Sequence, residues 1–143
     1  MQELIVKKSM VIGAEPAQVW EALTNPKITK KYFFNCEVIS DWEVDSSIIY
    51  RDSTGKDPID HVTGTLKYFE EGKMFEYTFK STAAADGNRS QMMRVTFELE
   101  PENGRTKLTV TQDCGDNEKV YKDSDMGWDY VLHGLKKLLE SQD

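Results

Sequence analysis

Near its end the chain changes hydrophobic period. Trp128, Val131, Leu132, Leu135, Leu138 and Leu139 follow one another at intervals of 3, 1, 3, 3 and 1 residues, the repeat of a single helix face. Between Cys36 and Thr111 several segments instead alternate every second position, as strands do: Phe75, Tyr77 and Phe79, then Met93, Val95, Phe97 and Leu99, then Leu108 and Val110. One amphipathic helix of about five turns is not stable by itself in water and must bury its stripe on a partner. The only large partner this sequence offers is one face of a sheet built from the preceding strands. That excludes a helical bundle and predicts an α+β fold with a curved antiparallel sheet wrapped around a long C-terminal helix.

The remaining elements follow from local signals. Residues 3 to 12 alternate, with Leu4, Val6, Met10 and Ile12 on one parity, and read as a strand. Pro16 suits the first position of a helix, where a missing N–H removes no intrahelical bond, and Val19 and Leu23 give residues 15 to 24 one apolar side. Asn25-Pro26 ends that helix, and a second runs from Pro26 to about Tyr32. Strands are expected at 36–40, 47–51, 59–69, 73–80, through Met93, Val95, Phe97 and Leu99, and at 107–111, with a turn at Pro101-Glu102-Asn103-Gly104. In the 59–69 strand Leu66, Tyr68 and Phe69 cannot all face one side of a regular strand. Residues 81–90 read as a hairpin loop. Asp123, Ser124 and Asp125 are expected to cap the last helix, with Lys136 and Lys137 toward its other end. The order of strand, two short helices, six strands and long helix is the helix-grip layout.

A length of 143 residues predicts one domain, 1–143. Twenty-five acidic against eighteen basic residues give a net charge of -7. That repels nucleic acid and anionic membrane surfaces, so neither is an expected partner. The charged start Met1-Gln2-Glu3-Leu4-Ile5-Val6-Lys7-Lys8 is no secretory signal, and no apolar run approaches the ~20 residues of a membrane span. A cytoplasmic protein is expected. Cys36 and Cys114 read as reduced thiols there, with a disulfide between them left open.

Signals for catalysis are sparse. His61 and His133 are the only histidines, and no His, Cys, Asp and Glu set has zinc spacing. His61 lies beside Asp60, but no nucleophile elbow accompanies it. Gly64 and Gly72 are isolated, so no phosphate-binding loop is present. No catalytic residue, metal or cofactor is therefore assigned. Arg94 and Glu76 fall on the outward parity of their strands, and Arg51 is a candidate polar anchor. Trp20, Trp42 and Trp128 could enclose a ligand, although such residues more often fill a core.

Four stretches carry a resemblance. Ala14-Glu15-Pro16-Ala17-Gln18-Val19-Trp20-Glu21-Ala22-Leu23-Thr24-Asn25-Pro26 resembles the opening of the activator of heat-shock protein 90 ATPase homologue family, of the START-like, birch-pollen-allergen-type superfamily. Ile28-Thr29-Lys30-Lys31-Tyr32-Phe33 is similar to its second helix, residues 40–51 to its "SDWxxGSxIxYR" strand pair, and residues 127–140 to its terminal helix. The chain departs at Asp45, where the family usually has a turn glycine, and residues 81–91 match no family motif. The resemblance implies the same helix-grip fold and a chaperone partner.

A helix gripped by a curved sheet leaves room between them for an apolar pocket. The inward parity places Phe75, Tyr77, Phe79, Met93, Val95 and Phe97 at that pocket, and Trp42, Tyr50, Trp128 and Leu132 complete the candidate set. The same side chains would also serve as plain core. The expected function is non-enzymatic binding of a lipid-like or aromatic small molecule. Association with a chaperone is the alternative, and a cyclase or hydrolase using the same cavity is the third.

Overall fold

The computed structural model describes residues 4–81 and 91–141. In order these are β1 (Ile5–Ile12), α1 (Pro16–Thr24), α2 (Pro26–Tyr32), β2 (Cys36–Ser40), β3 (Ser47–Asp52), β4 (Ile59–Glu70), β5 (Met74–Ser81), β6 (Gln91–Glu102), β7 (Arg105–Asp113) and α3 (Glu118–Glu140). The strands form one antiparallel sheet in the order β1-β7-β6-β5-β4-β3-β2. The helix-grip layout read from the sequence is the layout found. The first and second strands occupy opposite edges of the sheet, so the chain must cross its full width between them. The two short helices make that crossing.

Hydrogen bonds at Asn25 and Thr29 hold the crossing together. The Asn25 N–H donates to the Glu21 carbonyl and closes α1, while its side chain accepts from the Lys27 N–H at 2.9 Å and opens α2. The Tyr32 hydroxyl donates to the Ala22 carbonyl at 2.7 Å and ties the helices to each other. Thr29 Oγ1 donates to the Cys36 carbonyl at 2.9 Å and accepts from the Val38 N–H at 3.1 Å, docking α2 on β2.

The long strand β4 resolves the parity conflict. Its register shifts once opposite Tyr50 and Arg51 of β3 and again between Leu66 and Tyr68. Each shift is a bulge, which turns side chains over and bends the strand. Leu66 is thereby buried and Phe69 packs on the core, while Tyr68 faces out. Gly64 lies where β5 comes closest: an added Cβ would collide with the Thr78 carbonyl. Asp45 has a φ of 73°. A short polar side chain is one of the few that tolerate that left-handed conformation.

Two expectations need correction. α3 starts at Glu118, five residues before Asp123, because the Asn117 side chain accepts from the Val120 N–H at 3.1 Å and is the N-cap. The acidic run 123–125 lies inside the helix instead. Strands β6 and β7 extend to Glu102 and Arg105, leaving only Asn103 and Gly104, both at positive φ, as the turn. The loop expected at 81–90 falls, after Ser81, outside the described residues. Cys36 and Cys114 are both buried free thiols. No described helix is long and apolar enough to cross a membrane.

Trp128, Val131, Leu132, Leu135 and Leu139 of α3 are buried, as the stripe requires. A fully buried Leu such as Leu135 contributes roughly 1.5–3 kcal/mol. Strand β1 clamps the helix along one side. Lys8 pairs with Asp125 at 2.9 Å and Asp129 at 3.2 Å. Lys136 donates to the Val11 carbonyl at 2.9 Å, and Glu140 accepts from the Gly13 N–H at 2.7 Å. The other side of the helix faces β4 to β6, and the candidate site lies there.

Candidate functional site

A pocket of about 440 Å³ opens between the N-terminal half of α3 and the inner face of the sheet. The sheet supplies Val62 of β4, Tyr77 and Phe79 of β5, Val95 of β6 and Gln112 of β7. The helix supplies Asp123, Gly127 and Val131, four residues apart on one face, with Ser124 and Trp128 beside them. The turn from α2 into β2 closes the end with Phe33, Phe34 and Cys36, and His61 completes the rim.

Of the residues expected from the sequence, Tyr77, Phe79, Val95 and Trp128 stand on this wall. Tyr50, Phe75, Met93, Phe97 and Leu132 lie in the core and are buried. Tyr50 stacks on Phe33 with ring centres 4.5 Å apart, and Phe75 stacks on Phe97 at 4.9 Å. They back the pocket rather than line it. The three tryptophans do not form one box. Trp42 and Trp20 both pack on Phe69 and Phe75, bordering a separate recess of about 450 Å³ with Glu21 and Glu71. Trp128 sits edge-on to Phe33 and Phe97 instead. Arg51 is engaged by Asp60 at 2.6 Å. Arg94 reaches Glu76 on the outer face, and His133 Nδ1 lies 2.7 Å from the Asp129 carbonyl on the exposed side of α3.

Sequence reasoning passed over Phe33, Phe34, Cys36, Val62, Gln112, Gly127 and Val131 as pocket residues. Gln112 was legible, since it shares the inward parity of Leu108 and Val110. Phe34 was not. Phe34 and Asn35 have φ of 49° and 62°, a costly pair of left-handed residues, about 1–2 kcal/mol each. They fold the chain so that the Cys36 N–H donates to the Phe33 carbonyl at 2.8 Å. This swings the Phe34 ring outward onto Tyr130, 5.0 Å away, both rings remaining about half or more exposed, with Phe34 on the pocket's edge.

The pocket wall is mainly uncharged; its one carboxylate, Asp123, is paired with Lys119 at 2.9 Å. Burial pushes the Cys36 thiol up to about 11, helped by the negative charge of Asp52. Burial also raises the Tyr77 phenol above its ordinary range. The Trp128 indole N–H donates to Gln112 Oε1 at 2.6 Å. Among the described residues no group of three or more His, Cys, Asp or Glu side chains could hold a metal ion.

The solution structure of a protein from Cytophaga hutchinsonii is 33% identical, with a TM-score of 0.78 over 99% of this chain and 98% of that one. A crystal structure from Mesorhizobium loti is 24% identical, with a TM-score of 0.79 over 97% and 98%. The Aha1 dimer from Colwellia psychrerythraea is 19% identical, with a TM-score of 0.74 over 96% of each chain. These last two likenesses establish the fold alone. No curated protein sequence matches closely enough to count as a relative. The profile of one family covers residues 13–140, from the end of β1 to the end of α3. The chain belongs to that family, described as activator of Hsp90 ATPase homolog 1-like protein.

Proposed function

We propose that this domain binds a hydrophobic small molecule, lipid-like or aromatic, in the pocket between the sheet and α3, and does so without catalysis. The whole chain acts as one such module in the cytoplasm. The observation that carries this reading is the pocket: about 440 Å³, within the ~300–1,000 Å³ usual for ligand sites, walled by aromatic and aliphatic side chains with few polar groups. Of the ten contacts anticipated from the sequence, Tyr77, Phe79, Val95 and Trp128 are the ones proposed to touch the ligand. The titratable groups Cys36 and Tyr77 are shifted toward their neutral forms by burial. A thiol or phenol that acts as nucleophile or base needs the opposite shift. Native mass spectrometry of the purified protein, followed by denaturing extraction, tests the reading. A co-purifying organic molecule is expected. A bare mass, together with no binding of naphthalene-sized apolar probes, overturns it.

A chaperone-associated role is the second reading. Family membership supports it, and so does one surface. Phe34, Tyr130 and Met126 are exposed, and Met126 and Tyr130 lie four apart on one helix face. Binding to an Hsp90-type ATPase at micromolar concentration and low salt is its test. Failure to bind there removes it.

A further inference from the structure

Gln112 is the polar exception on the inner face of β7. Its register partners are Val6 on β1 and Val95 on β6, both buried, and Gln112 is itself only 4% exposed. A lone amide in such a setting costs free energy unless its hydrogen bonds are made.

One of them is made, and it fixes the orientation of the group. An indole N–H can only donate. Trp128 Nε1 lies 2.6 Å from Gln112 Oε1, so the oxygen must point at the indole and the NH₂ must point away. No hydrogen bond from that nitrogen is made among the described residues. Nor is the nitrogen sealed into protein: the only fully enclosed side-chain polar atom without a partner among those residues is Thr78 Oγ1. Gln112 lines the pocket, so its two N–H donors face pocket space.

Satisfying Trp128 does not by itself require this arrangement. A serine, a threonine or a backbone carbonyl accepts from an indole without bringing two further donors into an apolar wall. The donors are used when the pocket is filled by a molecule carrying an acceptor at that depth. Among the described residues the lining holds no Lys or Arg to pair with an anion, its Asp123 is already paired with Lys119 at 2.9 Å, and the protein carries a net charge of -7. An anionic acceptor is thereby disfavoured. The surrounding rings of Phe33, Tyr77, Phe79 and Trp128 favour a flat apolar body.

We infer that the pocket selects uncharged, ring-containing ligands with a hydrogen-bond acceptor such as a carbonyl oxygen, read by the Gln112 NH₂ that Trp128 holds in position. This rests on the reading that the pocket binds a small molecule.

The test uses two probes of nearly equal shape, 2-acetylnaphthalene with an acceptor and 2-ethylnaphthalene without one. Dissociation constants come from tryptophan fluorescence, and the Gln112 side-chain NH₂ signals are followed in ¹⁵N–¹H spectra. Wild-type protein is expected to bind the acetyl compound roughly three- to tenfold tighter, the size of one neutral hydrogen bond. Only that compound is expected to shift the Gln112 NH₂ signals. Gln112→Met removes the donors and should bring the ratio to about one. Gln112→Glu retains an acceptor for Trp128 without an NH₂; titrated at pH 9, where its carboxyl carries no proton to donate, it should lose the preference even if the Met variant folds poorly. Equal binding of both probes to wild type overturns this inference and leaves the binding pocket standing. So does a preference that survives both substitutions. Absence of binding by both probes, together with a bare mass in native mass spectrometry, overturns both readings.

Discussion

Gly127 lies in the middle of a 23-residue helix, where glycine is about 1 kcal/mol less favourable than alanine. Nothing lies within 4 Å of a Cβ built at this position, and the residue lines the pocket. The helix therefore tolerates a poor helix former just where a side chain would project into the binding space. Gly127→Ala should stabilise the protein by about 1 kcal/mol, raising Tm by about 2–4 °C for a chain of this size. Gly127→Leu should gain about as much from propensity, and up to about 0.8 kcal/mol for each further carbon that it buries. It should also lower affinity for 2-acetylnaphthalene at least tenfold, because the side chain occupies the ligand's space. Gly134 is the control on the same helix. An alanine there meets Tyr32 Cβ at 3.3 Å, so Gly134→Ala should gain less than Gly127→Ala or lose stability. Thermal denaturation and probe titration read all three variants. A Gly127→Leu protein that melts below wild type, or that binds the probe with wild-type affinity, would refute the reasoning.

Gly64→Ala should cost about 2–3 kcal/mol, seen as a lower denaturation midpoint at unchanged m-value, because the methyl group meets the Thr78 backbone and cannot rotate away. The thiols of Cys36 and Cys114 are buried and raised in pKa. With Cys36 near 11, only about one molecule in a thousand is thiolate at pH 8. Native protein should thus react slowly with a disulfide reagent, and fast labelling of either thiol before unfolding would contradict the burial. Glu140 has a carboxyl held below its ordinary 4.5 by Lys136 and then by the Gly13 N–H. Its contribution to stability is complete above pH 4.5 and is lost as pH falls through the lower folded value. The acid limb of stability against pH should therefore flatten in Glu140→Gln, and an unchanged limb would show that the clamp on β1 is not linked to folding.

The fold was legible because the period changes near the end of the chain and because Pro16, Asn25-Pro26 and Asn103-Gly104 mark turns by chemistry. The start of α3 was misplaced for a local reason. Asn117 caps as well as Ser124 does, and the residues between them carry only Val120 and Tyr121 as apolar members, too few to extend the stripe by eye. The candidate site was legible in part. Parity identifies the inward face, and it places Tyr77 and Val95 there, but it cannot say which inward residues meet another side chain and which meet space. That depends on where α3 crosses. The helix is held to β1 by Lys8 and Lys136, so Phe75 and Phe97 are packed over by other aromatic rings while Phe79 reaches the pocket. The left-handed pair Phe34 and Asn35 carries no glycine signal, and its effect on the mouth could not be anticipated.

A pocket of this size also constrains how the domain is stabilised. If about 440 Å³ were a dry cavity left by missing side chains, at ~24 cal/mol per Å³ it would cost on the order of 10 kcal/mol. That is comparable to the whole stability of an ordinary domain, and a pliable structure would collapse around it. The space instead opens to solvent past the exposed lining residues His61, Asp123 and Phe34, and its walls are fixed by bonds that do not depend on what fills it. Thr29 fixes β2 to α2, Lys8 and Glu140 fix α3 to β1, and two bulges bend β4. A ligand entering such a preformed site displaces water and spends little on reorganisation. Its binding should appear almost entirely as added stability, about 2.7 kcal/mol at a hundred times the dissociation constant, or several degrees in Tm. Saturating 2-acetylnaphthalene that leaves Tm unchanged, while fluorescence reports binding, would mean that the probe binds the unfolded chain equally well and does not need the folded pocket.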